Sequence, residues 1–389
     1  FRRKLLAGEL DTAEVHRGAA DEVGASDLMI GTNARSLFAQ GIETRGQLNL
    51  DHGAVTQEIR AGLRVHRDGV ERDHDEAAYW MTSGVPTRRR DVPGLITRRN
   101  DDVALAVAGH VADEVVIAKR LHIKPGVRVE WVKTWREDTT PRFEPFETSN
   151  SSLALLPGAG IFWQLEDWIG VLGGVHRGFS PVAPGQRDGV DPETSLNYEG
   201  GLRLNLPWLS AEAIGHFTDY TNIVGNCTFS AGCDDAAVGE QFNGGEAWVY
   251  GVEATLSTGL KLPAQLELRL DASYTWTQSE FRTDFSSSFP QWGQVRAGDE
   301  MPYLPRHQLF TALGLSHPRF GVDVSARYTG QQRDEAGQSG APANQLIDGY
   351  TVIDLGLRWL FGPQDQIYGR ITNLLDEAYL VSLRPFGAR

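Results

Sequence analysis

Sulfur is scarce in this chain: 389 residues hold 2 Cys and 3 Met. Two cysteines are too few for a disulfide-stapled scaffold or a Cys-rich metal protein. Long apolar runs are missing as well. No stretch approaches the ~18 consecutive apolar residues of a membrane-spanning helix, which excludes a helical membrane protein. Positive charge is in deficit, with 37 Lys+Arg against 51 Asp+Glu and a net charge of −14. Such a chain suits general nucleic-acid binding poorly. What is present in quantity is glycine, at 43, and aromatic residues, with 10 Trp, 10 Tyr and 16 Phe. That excludes a disordered acidic polymer. The length suggests two or three domains, unless one large β-barrel takes all of it.

The strongest pattern is alternation. Leu266, Leu268, Leu270, Ala272, Tyr274 and Trp276 interleave with Gln265, Glu267, Arg269, Asp271, Ser273 and Thr275. Phe320, Val322, Val324, Ala326 and Tyr328 interleave with Asp323, Ser325, Arg327 and Thr329. Ile353, Leu355, Leu357, Trp359 and Phe361 repeat the pattern, as do Ile59, Ala61, Leu63 and Val65. A strand puts successive side chains on opposite faces, so these segments read as amphipathic strands.

About fifteen strands are expected, near 1–12, 37–50, 55–66, 102–113, 121–134, 153–165, 168–178, 195–206, 209–221, 247–258, 265–277, 306–316, 320–330, 349–361 and 367–374. Connections such as Glu166-Asp167, Pro207-Trp208 and His317–Arg319 are short. They alternate with long polar ones at 67–101, 135–152, 179–194, 222–246, 278–305 and 331–348. Strict short–long alternation puts every tight turn at one end, the pattern of an up-and-down transmembrane barrel with short periplasmic turns and long extracellular loops. A soluble sandwich or propeller also alternates. Its strands are shorter, and the aromatics here gather near strand ends (Trp131, Trp135, Phe217, Tyr220, Tyr328), as an interface girdle requires.

Several stretches stand out in order along the chain: Leu121-His122-Ile123-Lys124-Pro125-Gly126-Val127-Arg128-Val129-Glu130, Gly178-Phe179-Ser180-Pro181, the run from Pro192 to Arg203, Gly251-Val252-Glu253, Leu304-Pro305-Arg306-His307-Gln308, and Ile371-Thr372-Asn373-Leu374-Leu375-Asp376-Glu377-Ala378-Tyr379 with Arg384-Pro385-Phe386-Gly387. Together they resemble the barrel of TonB-dependent outer-membrane receptors, especially the branch of ferric citrate receptors. The resemblance implies an all-β transmembrane barrel of 22 strands around a plug. Residues 1–389 are expected to form one partial barrel of about 15 of those strands, without the plug, the TonB-binding segment, the first strands or the last one. It implies a monomer in the bacterial outer membrane, surrounded by lipid and lipopolysaccharide. Its cargo would be a ferric siderophore, with ferric citrate as one candidate, and its energy would come through TonB. Cobalamin, a glycan or another chelate fits the same fold, and a passive porin or barrel enzyme is the rival from another class.

In an oxidising compartment Cys227 and Cys233, close together in a long loop, are expected to form a disulfide. Pro86-Thr87-Arg88-Arg89-Arg90-Asp91 is an unusual basic cluster in so acidic a chain, with Arg98-Arg99 downstream. Guanidinium forks suit an anionic chelate, so Arg88, Arg89 and Arg90, with Tyr79 and Trp80 beside them, are the expected ligand contacts. A loop solvated against Asp73, Asp75, Glu76 or lipopolysaccharide is the plainer reading. His66 and His216 fall on the polar face, and no histidine spacing makes a metal motif. Inward charges such as Glu58, Arg60, Arg64, Arg269, Asp323 and Asp354 are expected to form lumen networks, and Asn373 and Asp376 to shape a turn. No nucleophile elbow, phosphate loop or dinucleotide fingerprint is present, and no cofactor is expected.

Overall fold

The computed structural model describes residues 28–383, apart from 33, 83–84, 142, 187–188, 229–232, 234–238, 339, 341, 343–344 and 363. Alternation over this span becomes one antiparallel sheet of 16 strands. Fourteen long strands make up the wall: β1 (Ala34–Asp51), β2 (Val55–Thr82), β3 (Leu95–Ile117), β4 (Leu121–Asp138), β5 (Phe146–Glu166), β6 (Ile169–Ser180), β7 (Glu193–Leu206), β8 (Leu209–Asn222), β9 (Ala247–Leu262), β10 (Leu266–Phe281), β11 (His307–His317), β12 (Phe320–Thr329), β13 (Tyr350–Leu360) and β14 (Gln366–Ile371). Each pairs with the next in sequence. Short segments Leu28–Gly31 and Val85–Arg88 add to β2. Fourteen of the fifteen expected strands thus have a counterpart; the one near 1–12, like Arg384–Gly387, lies outside the described residues.

Turns at 52–54, 118–120, 167–168, 207–208, 263–265, 318–319 and 361–365 alternate with the longer connections 83–94, 139–145, 181–192, 223–246, 282–306 and 330–349. Two of the tight turns hold consecutive non-glycine residues at positive φ, Ala118 and Lys119 (51° and 59°) and Ala264 and Gln265 (59° and 61°). That backbone twist matches the twist of the strands it joins.

Register fixes the two faces. Ile42, Val65, Val107, Trp131 and Leu153 stand side by side across five strands. Ile42 is 78% exposed and Leu153 73%. A row this apolar and bare on a wall needs lipid against it. One residue along, Gly41, His66, Ala106, Val132 and Ser152 form the inner row. The lipid band closes at an aromatic belt, where the Arg67 guanidinium lies over Phe38 at 5.5 Å and Trp135 at 5.7 Å. Beyond it the outer face carries Glu71, Asp101, Glu137 and Glu147 directly opposite one another.

One expectation is corrected here. The long loop assigned to 67–101 is mostly strand: β2 continues to Thr82, β3 begins at Leu95, and only 83–94 connects them. Apolar alternation stops where lipid stops, whereas backbone pairing continues into water wherever partner strands run on together. The pattern marked the membrane and not the strand end.

With its apolar wall facing lipid, the sheet has no dry interior. The hydrophobic cluster sits in the long connections instead. Phe281, 0% exposed, meets Phe285 at 5.4 Å and Trp292 at 5.9 Å in edge contacts, and Phe289 meets Trp292 at 5.1 Å. Cys227 and Cys233 are bonded to each other and belong to this cluster. The connections also pair into small hairpins, Val224–Asn226 with Gln241–Asn243 and Phe285–Ser286 with Gln294–Val295.

Candidate functional site

Above the aromatic belt the inner face of β1–β5 collects arginine. Cross-strand register sets Arg35 beside Arg72, Arg72 beside Asn100, Asn100 beside Asp138, and His74 beside Arg98. Asp102 stands opposite Arg136, and Arg136 opposite Thr148. Arg136 grips Asp102 with two bonds, Nε to Oδ1 at 2.5 Å and Nη2 to Oδ2 at 2.8 Å. Arg72 Nη1 donates to the same Oδ2. Burial pushes the Asp102 carboxyl up, but the bonds and charges of Arg136 and Arg72 outweigh it and hold it below the usual carboxylate range. Burial lowers Arg98, and the neighbouring Arg136 lowers it further. Burial and then Arg35, Arg72 and Arg98 lower His74, which favours its neutral form.

Among the described residues, Arg35, Arg72, Arg98 and Arg136 gather here with Asp102 and Asp138. Polar capacity is also left over. Both side-chain atoms of Asn100, which is 2% exposed, have no hydrogen-bond partner. His74 Nε2 and Thr148 Oγ1 are buried without one too. Unpaired buried polar atoms are costly. Their gathering beside several guanidinium groups makes an environment suited to an anion that also carries hydroxyl or carbonyl groups.

Glycines let two connections close over this cluster. A Cβ on Gly185 would collide with the Arg136 guanidinium. One on Gly239 would lie 3.8 Å from nitrogens of Arg136 and of Arg98. Both residues have positive φ, 83° and 92°, so glycine is suited to each position.

The contacts expected from sequence lie elsewhere. Tyr79, Trp80, Arg88, Arg89 and Arg90 occupy the tip of the β2–β3 hairpin, where Tyr79 pairs with Arg88 and Trp80 with Thr87. Tyr79 is seven residues past Arg72 on β2, about 24 Å along the strand. Arg89 Nη2 donates to Asp91 Oδ2 at 2.6 Å, and that bond lowers the Asp91 carboxyl. Arg99 pairs with Asp73 at 3.0 Å on the outer face. The sequence reading passed over Arg72, Arg136, Asp102 and Asn100. Carrying the period of two past Val65 and Val132 places all four on the inner face.

Elsewhere the inner charges pair locally: Arg60 with Glu58, Arg269 with Asp271 at 2.7 Å, and Arg370 with Asp354 at 3.2 Å. His122 and Lys124 both reach Glu114, each at 3.1 Å. Among the described residues no three His, Cys, Asp or Glu side chains converge as a metal site requires. Asn373 bonds the Glu377 main chain with both ends of its amide, each at 3.0 Å.

A wall of long antiparallel strands with tight turns at one end and longer connections at the other is the architecture of an up-and-down membrane barrel. The chain belongs to the TonB dependent receptor-like β-barrel family, which it matches over residues 13–374. It is similar in fold to the ferric citrate transporter FecA in its unliganded form (TM-score 0.72, 19% identity, 92% of this chain and 53% of that one). It is similar also to the siderophore receptor PiuA from Acinetobacter baumannii (0.70, 14%, 91% and 54%) and to the closed form of the ferric-catecholate import receptor Fiu from E. coli K12 (0.67, 16%, 91% and 53%). The chain spans about half the length of these structures. No curated protein matches it.

Proposed function

We propose that this chain is barrel wall from an outer-membrane receptor that imports a ferric siderophore, with an anionic hydroxycarboxylate chelate such as ferric citrate as the favoured cargo. The observation that carries the reading is the gathering of guanidinium groups beside buried, unpartnered Asn100, His74 and Thr148 atoms in the mouth of a TonB-dependent receptor barrel. Capture would begin at the hairpin tip, where Tyr79, Trp80, Arg88, Arg89 and Arg90 offer contacts, and end at the cluster below. The receptor releases its cargo inward by coupling to the TonB complex, since an anion held by several arginines does not leave unaided. Lipid and lipopolysaccharide cover the apolar wall and its polar rim. The role is that of a receptor, not an enzyme.

The test uses the full-length receptor in detergent. Ferric citrate is expected to quench tryptophan fluorescence saturably, and Arg136→Ala or Arg98→Ala to weaken the apparent affinity at least about tenfold, the loss of one charge-assisted contact. If no ferric chelate alters the fluorescence, the siderophore assignment is wrong. If ferric citrate binds equally well to both variants, the cluster is not its site.

A further inference from the structure

The outer face of β1–β5 changes character row by row toward the mouth. The apolar row of Ile42, Val65, Val107, Trp131 and Leu153 comes first. Two residues farther along, the register sets Gln40 beside Arg67, Arg67 beside Leu105, Leu105 beside Lys133, and Lys133 beside Ser151. Phe38 and Trp135 stand in the next row, and Glu71, Asp101, Glu137 and Glu147 in the one after. Arg67 and Lys133 thus share one row at the upper edge of the lipid band, two strand spacings or about 10 Å apart. Both are exposed. On β1–β5, the row that holds them and the rows on either side of it contain no carboxylate. The nearest acid on the same face of each strand, Glu71 or Glu137, is four residues on, about 13 Å. The Arg67 guanidinium lies against two rings, 5.5 Å from the centre of Phe38 and 5.7 Å from that of Trp135. Rings packed on a guanidinium hold it in place and leave its N–H groups to other acceptors. Among the described residues those groups find none, and Lys133 makes neither an ion pair nor a hydrogen bond.

We propose that Arg67 and Lys133 form a binding site for the phosphate of an outer-leaflet lipid headgroup, with Phe38 and Trp135 holding the guanidinium ready for it. A cation that only snorkels needs nothing but water, and any residue at the rim can reach that. Here two cations stand on one row at headgroup height, one of them braced by two rings, with no carboxylate in the rows around them. A phosphate answers both: the guanidinium fork takes two of its oxygens, and the ammonium meets its charge as a point charge. The acyl chains of the same lipid then lie along the apolar row below. The acidic row above repels a dissolved anion arriving from the water, so the phosphate that reaches the pair comes from the bilayer. The inference rests on the reading of this face as a wall set in the outer membrane.

Native mass spectrometry of the full-length receptor in detergent reads bound lipid directly. The probes are lipid A and the same lipid A stripped of its phosphates. The native protein is expected to hold lipid A about a hundredfold more tightly than the stripped form, two charge-assisted contacts at about tenfold each. Arg67→Gln and Lys133→Gln are each expected to weaken lipid A about tenfold and to leave the stripped form unaffected, a pattern that lost packing does not produce. Lys133→Arg, which keeps the charge, is expected to retain lipid A. Heat-dependent gel migration shows that each variant holds a folded barrel. Lipid A bound by both Gln variants as tightly as by the native protein would overturn the site. Displacement of lipid A by an equal concentration of inorganic phosphate would overturn the assignment to a lipid. The wall reading fails separately, through a native receptor that does not enter lipid vesicles.

Discussion

Leu313 and Ala312 are neighbours on β11 that the register sends to opposite faces, and substituting arginine at each tests the orientation of the whole wall. Leu313, 47% exposed, stands in the outer row between Leu270 and Val324, with Leu355 beyond. Ala312 stands in the inner row between Asp271 and Ser325. Leu313 is four residues from the end of β11 at His317. At ~3.4 Å per residue and a tilt near ~40°, that is about 10 Å above the turn, close to the middle of a band about 25 Å tall. An arginine at that depth costs about 2–4 kcal/mol, whereas one near the interface costs about 0–1 kcal/mol. Leu313→Arg is therefore expected to lose about 2–4 kcal/mol, and Ala312→Arg, entering a wet face beside a carboxylate, much less. Leu268, only two residues into β10 from its turn, is expected to fall at the low end. The assay is reversible guanidinium unfolding of the full-length receptor in lipid vesicles, read by tryptophan fluorescence. Equal losses at 312 and 313, or a larger loss at 312, would refute the assignment of faces.

Three further outcomes follow from the site and its rim. Gly185→Ala is expected to dislodge the strip over Arg136, because a Cβ collides there and φ is 83°; Gly189→Ala, at φ 96° with open space around it, carries only the backbone strain. Hydrogen exchange of Val182–Gln186 distinguishes the two, and equal exchange would refute the packing. Asp102 is held below its unfolded value near ~3.9, so its stabilisation is present above that pH and is lost as pH falls through the depressed folded value. Wild type is expected to lose stability below about pH 4 more steeply than Asp102→Asn, by denaturant midpoints at each pH; parallel curves would contradict the pairing. Glu71, Asp101, Glu137 and Glu147 oppose one another on the outer face. Like charges directly opposite are unfavourable, so Asp101→Asn is expected to stabilise the rim by up to about 1 kcal/mol at low salt, and less as salt rises. A loss of stability at low salt would count against it.

The wall was legible in the sequence because lipid enforces it. Leu266 to Trp276 and Phe320 to Tyr328 must alternate, since a one-residue slip would turn Arg269 and Asp323 into lipid. Fourteen strands and the short–long order of their connections follow from that constraint alone. Above the belt the constraint lapses. Arg67 to Thr82 shows no apolar period, so it read as loop although backbone pairing runs through it. The site was hidden for the same reason. Arg88, Arg89 and Arg90 stand out because they are adjacent in sequence, yet only Arg88 lies on a strand and all three sit at the hairpin tip, away from Arg72. Arg72 and Arg136 are isolated in sequence and join Arg98 in a cluster only when three strands are set in register.

That geometry also explains why the buried aromatic cluster lies at the mouth and not in the wall. A barrel wall spends its apolar side chains on lipid and its inward side chains on water, so neither face fixes the connections at the mouth. Those connections need a core of their own, and Phe281, Phe289, Trp292 and Val295 supply it around the Cys227–Cys233 bond. Gly239 joins that core to the arginine cluster, bonded to Cys227 on one side and to Gln186 on the other, with the guanidinium groups beneath. The aromatic residues of this chain therefore serve in two places. Some anchor the wall at the lipid interface, and others pack the connections at the mouth against one another.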